Sequence, residues 1–227
     1  MTANGSVVEK REVDSFDRLV LRVYNMVNHV QIAQGERASL TIEARPEILS
    51  KIKTAVRGGA LVIWQDGSWL DKLASALTTS LTRPTVRYHL TVTDLACLEL
   101  VGFVHAHAAE LHADSLSLKL KGAGQVVIGS MTANSLAVDL EGAGRIELAG
   151  QVQEQRVIVQ GPGFYEAANL KSQRARVGLK GLGRASVWAV DSLENKVRGL
   201  GHVDVRGTPV IRKDISPRAP LPGFGQP

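Results

Sequence analysis

The chain has 227 residues, 44% apolar and 22% charged, so it can bury a sizeable core and is not disordered throughout. Its net charge of +5 comes from mixed basic and acidic residues, and its one cysteine, Cys97, excludes an internal disulfide. Because no apolar run is long enough to span a membrane and residues 1–8 lack an apolar signal core, neither a transmembrane segment nor an intact signal peptide is predicted.

The N-terminal part, residues 16–63, alternates apolar and polar side chains as strands with one buried face do. Arg57-Gly58-Gly59-Ala60 predicts a turn between two of these strands. Residues 19–32 resemble one copy of a strand–bend–strand unit that recurs more clearly farther along the chain. We therefore interpret 16–63 as degenerate coils of the same kind.

Residues 65–83 break this alternation and predict one short amphipathic helix. Leucines at 70, 73, 77 and 81 recur at helical spacing, and Ser68 can cap the first turn. We interpret the segment as an insertion that packs over the strands or covers an open edge. A helix that binds a membrane surface or a partner is the alternative.

From residue 84 to residue 215 a glycine motif recurs about every twenty residues. Its first glycines lie at 102, 122, 142, 161, 181 and 199, with spacings of 20, 20, 19, 20 and 18. A residue that a core accepts stands two and four positions before each of these glycines, and four and six positions after it. The one exception is Asn195. Each copy therefore predicts a strand, a glycine bend and a second strand.

A unit of about twenty residues cannot bury its own apolar face, whereas stacked units cover each other. Stacking that places equivalent residues of successive units over each other requires parallel strands about 4.8 Å apart. It also places Lys121 beside Glu141. We predict an all-β fold, a right-handed parallel β-helix or β-solenoid with coils of about 20 residues, plus the short helix. Residues 1–215 form a single domain in this interpretation, and the proline-rich tail 216–227 is expected to be extended or disordered.

An ordered set of segments also points to a family. It comprises Val8–Asp17, Gln34–Glu36, Leu40–Ala44, Lys53–Ile63, the glycine bends, and an exit from Gly207 to Ser216. This set resembles the "putative autotransporter adhesin, head GIN domain", a bacterial domain of unknown function, although the usual Ser-Gly-Ser-Gly bends are replaced here. The resemblance implies an exported protein at the cell envelope or outside the cell, and it brings no catalytic residues.

Candidate chemistry in the sequence is sparse. His105 and His107 share one strand face and are a weak candidate pair for zinc or nickel, with Glu110 as a third ligand, but we favour solvated surface histidines. His29, His89 and His202 are expected to be surface or packing residues. Cys97 lies in an apolar run that favours packing. No metal or cofactor is predicted. No nucleic-acid partner is predicted either, because the basic residues are dispersed and the aromatic residues are few.

Residues at the same position in successive copies of the repeat are expected to stack, which places the outward residues after the glycine bends in two columns. One is His105, Gln125, Arg145, Phe164, Arg184 and His202, and the other is His107, Val127, Glu147, Glu166, Ser186 and Asp204. From these we select a candidate binding surface, the predicted face, which consists of Arg145, Glu147, Phe164, Glu166, Arg184 and His202. A polysaccharide or an envelope protein is the expected partner.

The sequence thus favours a non-enzymatic, exported β-solenoid with a structural, adhesion-like or ligand-binding role. A glycan-active enzyme is one alternative, with the pairs Asp139/Glu141 and Glu147/Glu166 as candidate acids and bases, but we favour a charge ladder that solubilises the coils and fixes their register. Self-assembly through the open ends of the solenoid is the other alternative.

Overall fold

The computed structural model describes residues 5–66 and 83–213. In this part the chain forms one open sheet of eleven strands and a single four-residue helix, so the predicted all-β class is confirmed. The elements are β1 (Val7–Arg11), β2 (Arg18–Gln34), β3 (Ser39–Ala44), α1 (Pro46–Leu49), β4 (Ile52–Arg57), β5 (Ala60–Gln65), β6 (Thr85–Val92), β7 (Cys97–Gln160), β8 (Phe164–Gly181), β9 (Arg184–Gly199), β10 (His202–Arg206) and β11 (Val210–Lys213).

The C-terminal strands pair in parallel, displaced by one sequence repeat. Arg145 of β7 lies opposite Phe164 of β8, which lies opposite Arg184 of β9, and His202 of β10 follows. These are the residues that equal phase placed in one column, so the predicted register is confirmed for these strands. The offset keeps inward residues beside inward residues, because side chains alternate between the two faces of a strand.

The long strand β7 stacks on itself at the same offset, and its bends need glycine. Gly142 has a φ of +116°, and a Cβ there would lie 2.3 Å from the carbonyl oxygen of Gly122. No side chain fits at that distance, and L-residues rarely adopt that φ. Glycine is therefore required at Gly142 both by the backbone conformation and by the closeness of the neighbouring bend.

The core follows the predicted inward columns. The residues two positions before the glycine are fully buried in the first five copies, namely Leu100, Leu120, Leu140, Val159 and Leu179. In the last copy Val197 is only partly buried, and Asn195 lies in a partly exposed position, as its polarity suggested. Outside the core, Lys121 Nζ lies 3.1 Å from Glu141 Oε1, which confirms the predicted pairing of these charges.

Strands β2 and β5 pair with each other in parallel and are the parts of 16–63 that match the repeat pattern. Strand β2 also pairs in parallel with β7, with Val23 opposite Gly102 and Val27 opposite Phe103, so residues 24–26 form a bulge at the position of the glycine bend. Buried Asn28 holds this bulge, because its Nδ2 donates to the carbonyl oxygens of Val23 (3.2 Å) and Phe103 (3.1 Å).

Strands β3 and β4 depart from the coil pattern expected for 16–63. Strand β3 pairs antiparallel with β1 and β6, and β4 pairs antiparallel with β5 across the predicted turn at Gly58-Gly59. Both turn glycines have positive φ, as a two-residue hairpin loop of type I′ requires. Period-2 alternation predicts a strand but not the direction of its partner, which explains the difference.

Two predictions cannot be compared with the described residues. Residues 67–82 of the predicted helix at 65–83 lie outside them, as does the tail 216–227. The short helix α1, which begins at Pro46, was not predicted. None of the helices in the described ranges has the length and apolarity needed to cross a membrane.

Candidate functional site

The parallel register brings the six residues of the predicted face onto four adjacent strands. Arg145 and Glu147 lie on β7, Phe164 and Glu166 on β8, Arg184 on β9 and His202 on β10. Two cross-strand rows result, because Glu147 lies opposite Glu166 just as Arg145 lies opposite Phe164. Partner residues of parallel strands project to the same side of the sheet, so these side chains are neighbours.

Arg145 is the centre of this surface. Its Nη1 donates a hydrogen bond to Glu166 Oε1 at 2.6 Å, and its Nε lies 3.9 Å from Glu147 Oε1. The guanidinium carbon lies 5.2 Å from the ring centroid of Phe164, within the range of a cation–π contact. Both carboxylates thus engage one guanidinium, which orients it beside a ring that is 41% exposed.

Two further residues complete the network, Gln125 and Asp204. Gln125 Nε2 donates to Glu147 Oε1 at 2.7 Å. Asp204 lies 3.8 Å from Arg184 Nε and 3.1 Å from His202 Nε2. Both residues belong to the predicted columns, although they were not among the six selected positions.

The charges of the face largely compensate each other. The paired side chains of Arg145, Glu166, Arg184 and Asp204 are between 44% and 60% exposed, so solvent screens each ion pair to about 0–1 kcal/mol. The result is an open surface of fixed polar groups around one exposed aromatic ring. Such a surface can exchange hydrogen bonds with a bound molecule and offers one ring for an apolar contact.

The candidate metal pair lies next to this face. His105 and His107 occupy one side of β7, but Glu110 instead lies 3.5 Å from His112. Within 5–66 and 83–213, no three or more histidine, cysteine, aspartate or glutamate side chains are arranged to hold a metal ion. The structure therefore brings the two histidines together without the expected third ligand.

Two of the histidines expected to be surface or packing residues, His29 and His89, join this pair. His29 of β2 lies opposite His105 and stacks on it, with ring centroids 5.2 Å apart and an interplanar angle of 18°. His89 of β6 lies opposite Gln31, which lies opposite His107. The four histidines line a groove of about 410 Å³. Aligning residues 27–32 with 103–108 as one repeat would have revealed the stack.

The environment of His29 disfavours its charged form. Partial desolvation, then the nearby His105 and Arg87, lower the pKa of His29 from the ordinary value of 6.5. The neutral form of His29 is therefore favoured in this groove.

Cys97 lacks the surroundings of a nucleophile. It is partly buried, and burial raises the pKa of its thiol from the ordinary value. The reactive form of cysteine is the thiolate, which a raised pKa disfavours. This agrees with the interpretation of Cys97 as a packing residue.

Comparisons with known proteins extend over most of the chain. A family model described as "Putative auto-transporter adhesin, head GIN domain" matches residues 21–209. A solved structure described as a "putative adhesin" from Bacteroides fragilis aligns with a TM-score of 0.74 at 20% identity, covering 92% of this chain and 97% of that chain. A "putative lipid binding protein" from Parabacteroides distasonis aligns with a TM-score of 0.64 at 16% identity, covering 93% of each chain. These likenesses show a shared fold, and no curated protein matches the sequence.

Proposed function

The chain belongs to the "putative auto-transporter adhesin, head GIN domain" family, and on this premise we propose that it is a non-enzymatic, adhesin-like binding protein of the cell envelope or cell exterior. Its ligand is a surface polysaccharide or an envelope protein, held along the predicted face. The family description supports the adhesive role and the location. The ligand class rests on the residues of the face.

One observation carries this proposal: Phe164 is exposed and is held in place by Arg145. Aromatic rings that present a face to solvent beside fixed polar groups are common in binding surfaces, since they bury much area at little entropic cost. Arg145 is itself fixed by Glu166 and Glu147. Because the network spans adjacent strands of one sheet, the surface is rigid before it binds.

We also propose that residues 1–215 form one β-solenoid with coils of about 20 residues. Support comes from the repeat-length offset between β7 and β8, β8 and β9, and β9 and β10. Such coils give the outward columns a constant spacing of about 4.8 Å. A ligand with a repeating structure can then engage several coils in the same way.

The test is retention of ligands by the immobilised full chain. We expect binding to purified bacterial surface polysaccharides or solubilised envelope proteins, and we expect Phe164→Ala to weaken it about tenfold or more. Phe103→Ala is the matched control, because Phe103 is 40% exposed and Arg83 lies over its ring 3.9 Å from the centroid, but at a bend away from the face. An equal loss of binding in Phe164→Ala and Phe103→Ala would show that the face is wrongly assigned. Wild-type binding by the double variant Arg145→Glu, Arg184→Glu would show the same.

Self-assembly is a second candidate role, favoured by the open sheet. Within the part of the chain that the structure describes, the strand path begins at β1 and ends at β10, and these two end strands have edges that another copy can extend. Light scattering over a concentration series distinguishes the two roles. A mass that rises with concentration supports assembly, whereas a constant monomer mass excludes it.

A further inference from the structure

A second surface, on the strand arms that precede the glycine bends, has a regular arrangement of charge. Residues 156–160, 176–180 and 194–198 are adjacent parallel segments in β7, β8 and β9. Their outward positions form a grid of three rows: Arg156, Arg176 and Glu194; Ile158, Gly178 and Lys196; Gln160, Lys180 and Arg198.

The centre of the grid has no side chain. Gly178 occupies the middle position, and a Cβ there would meet nothing closer than 3.8 Å, at the carbonyl oxygen of Val157. Its φ also lies outside the left-handed region, so neither backbone conformation nor space requires glycine here. In this respect Gly178 differs from the bend glycine Gly142. The missing side chain leaves a depression within a groove of about 540 Å³. Glycine inside a strand marks a bulge, a tight bend, or a site where a ligand or another backbone approaches closely, and no bulge or positive φ occurs at Gly178.

The side chains around Gly178 are mostly cationic. Five of the eight surrounding positions hold arginine or lysine and one holds a carboxylate, Glu194, which lies 3.3 Å from Arg176. Arg156, Lys180 and Arg198 form no ion pair with any residue of the described ranges. Among residues 5–66 and 83–213, no acidic side chain neutralises these three charges, unlike those of the predicted face, so the grid attracts anions.

From this geometry we propose that the Gly178 grid is a binding site for a carboxylated or sulfated polysaccharide, separate from the predicted face. The depression accepts one anionic group, and the surrounding cations bind the groups on either side. Cations in the same row are about 4.8 Å apart across adjacent strands, Lys196 and Arg198 are about 7 Å apart along β9, and Arg176 and Lys180 are about 13 Å apart along β8. A chain with an anionic group on successive sugars can therefore contact several of them at once.

An anionic membrane fits this surface less well. Leu182 and Leu200, which are 66% and 77% exposed, project from the bends beyond the grid and are suited to insertion into a lipid interface. However, a bilayer surface cannot enter a depression that is one side chain deep and ringed by other side chains, whereas a single polymer chain can.

The experiment measures binding of the full chain to dextran sulfate and polygalacturonate, with neutral dextran for comparison. We expect salt-sensitive binding to at least one anionic polymer. Gly178→Leu fills the depression without changing charge and should weaken polymer binding about tenfold. The triple variant Arg176→Gln, Lys180→Gln, Arg198→Gln should also weaken polymer binding about tenfold. The matched control is Arg37→Gln, Lys51→Gln, Arg57→Gln, which removes three exposed charges elsewhere and should leave binding within about twofold.

Three results would overturn the proposal. The first is wild-type affinity in Gly178→Leu, and the second is an equal loss in both triple variants, which would indicate only net-charge attraction. The third is binding to vesicles of phosphatidylcholine and phosphatidylglycerol, abolished by Leu182→Ser with Leu200→Ser, without binding to either polymer. Loss of dextran sulfate or polygalacturonate binding in Phe164→Ala, with Gly178→Leu unaffected, would assign the polymer to the predicted face instead.

Discussion

Arg145 and Glu166 are 21 positions apart in the chain, yet Arg145 Nη1 donates a 2.6 Å hydrogen bond to Glu166 Oε1. The contact exists because β7 and β8 pair in parallel with an offset close to one repeat. Each side chain therefore has its neighbours both along its own strand and one repeat away.

The Arg145–Glu166 pair should contribute little to stability. A double-mutant cycle with Arg145→Ala and Glu166→Ala should give a coupling free energy of about 0.2–1 kcal/mol, because both side chains are 44% exposed. Urea denaturation followed by circular dichroism measures it. A coupling above about 2 kcal/mol would mean that the pair has a structural role rather than a place in a binding surface.

Two glycine-to-alanine substitutions should have opposite outcomes. Gly142→Ala should lower the free energy of unfolding by at least about 1–3 kcal/mol, since it combines a positive φ with a backbone clash. Gly178→Ala should leave stability unchanged or raise it by about 0.4–1 kcal/mol, since its site tolerates a Cβ. Thermal and urea denaturation of both variants provide the comparison, and similar losses would contradict the assigned geometry.

A buried chain of hydrogen bonds beneath β7 and β8 should be costly to break. Tyr165 Oη donates to Gln155 Oε1 at 2.9 Å, Gln155 Nε2 donates to Ser172 Oγ at 2.8 Å, and Ser172 Oγ donates to the carbonyl oxygen of Trp188 at 2.7 Å. Tyr165→Phe leaves the Gln155 carbonyl oxygen without its donor and should destabilise by about 1–3 kcal/mol. Tyr24→Phe, at an exposed tyrosine, is the control and should change stability by less than about 0.5 kcal/mol.

The His29–His105 stack should make the fold less stable in mild acid. The pKa of His29 is lowered in the folded state, so the unfolded chain binds more protons as the pH falls through 6.5. Stability is thus fully present above that pH and decreases below it. His29→Gln should reduce the loss of stability between pH 7.5 and pH 5, and His105→Gln should reduce it partly, because desolvation of His29 remains.

Urea midpoints at the two pH values test this prediction. The relevant quantity is the difference between wild type and variant, because other groups also titrate in this range. An unchanged pH dependence in His29→Gln would show that the stack does not disfavour the charged form of His29.

The sequence by itself determined the inward columns and the register of the repeats. Leu120, Leu140 and Leu179 recur at one phase of a period-2 pattern, and only parallel stacking one repeat apart buries all three. A one-residue shift would have exposed them and buried Lys121 and Glu141. For this reason the sequence also predicted that Arg145, Phe164, Arg184 and His202 follow one another across the strands.

Only the tertiary structure decided the direction of β3 and β4, the stacking of His29 on His105, and the surroundings of Gly178. Alternation within a strand is the same whether its partner runs parallel or antiparallel. The contacts of an outward side chain depend on rotamers and on residues about twenty positions or more away, which no local pattern contains. Gly178 shows this directly: in the sequence it is one glycine among 22, and it becomes a depression only when eight side chains from three strands surround it.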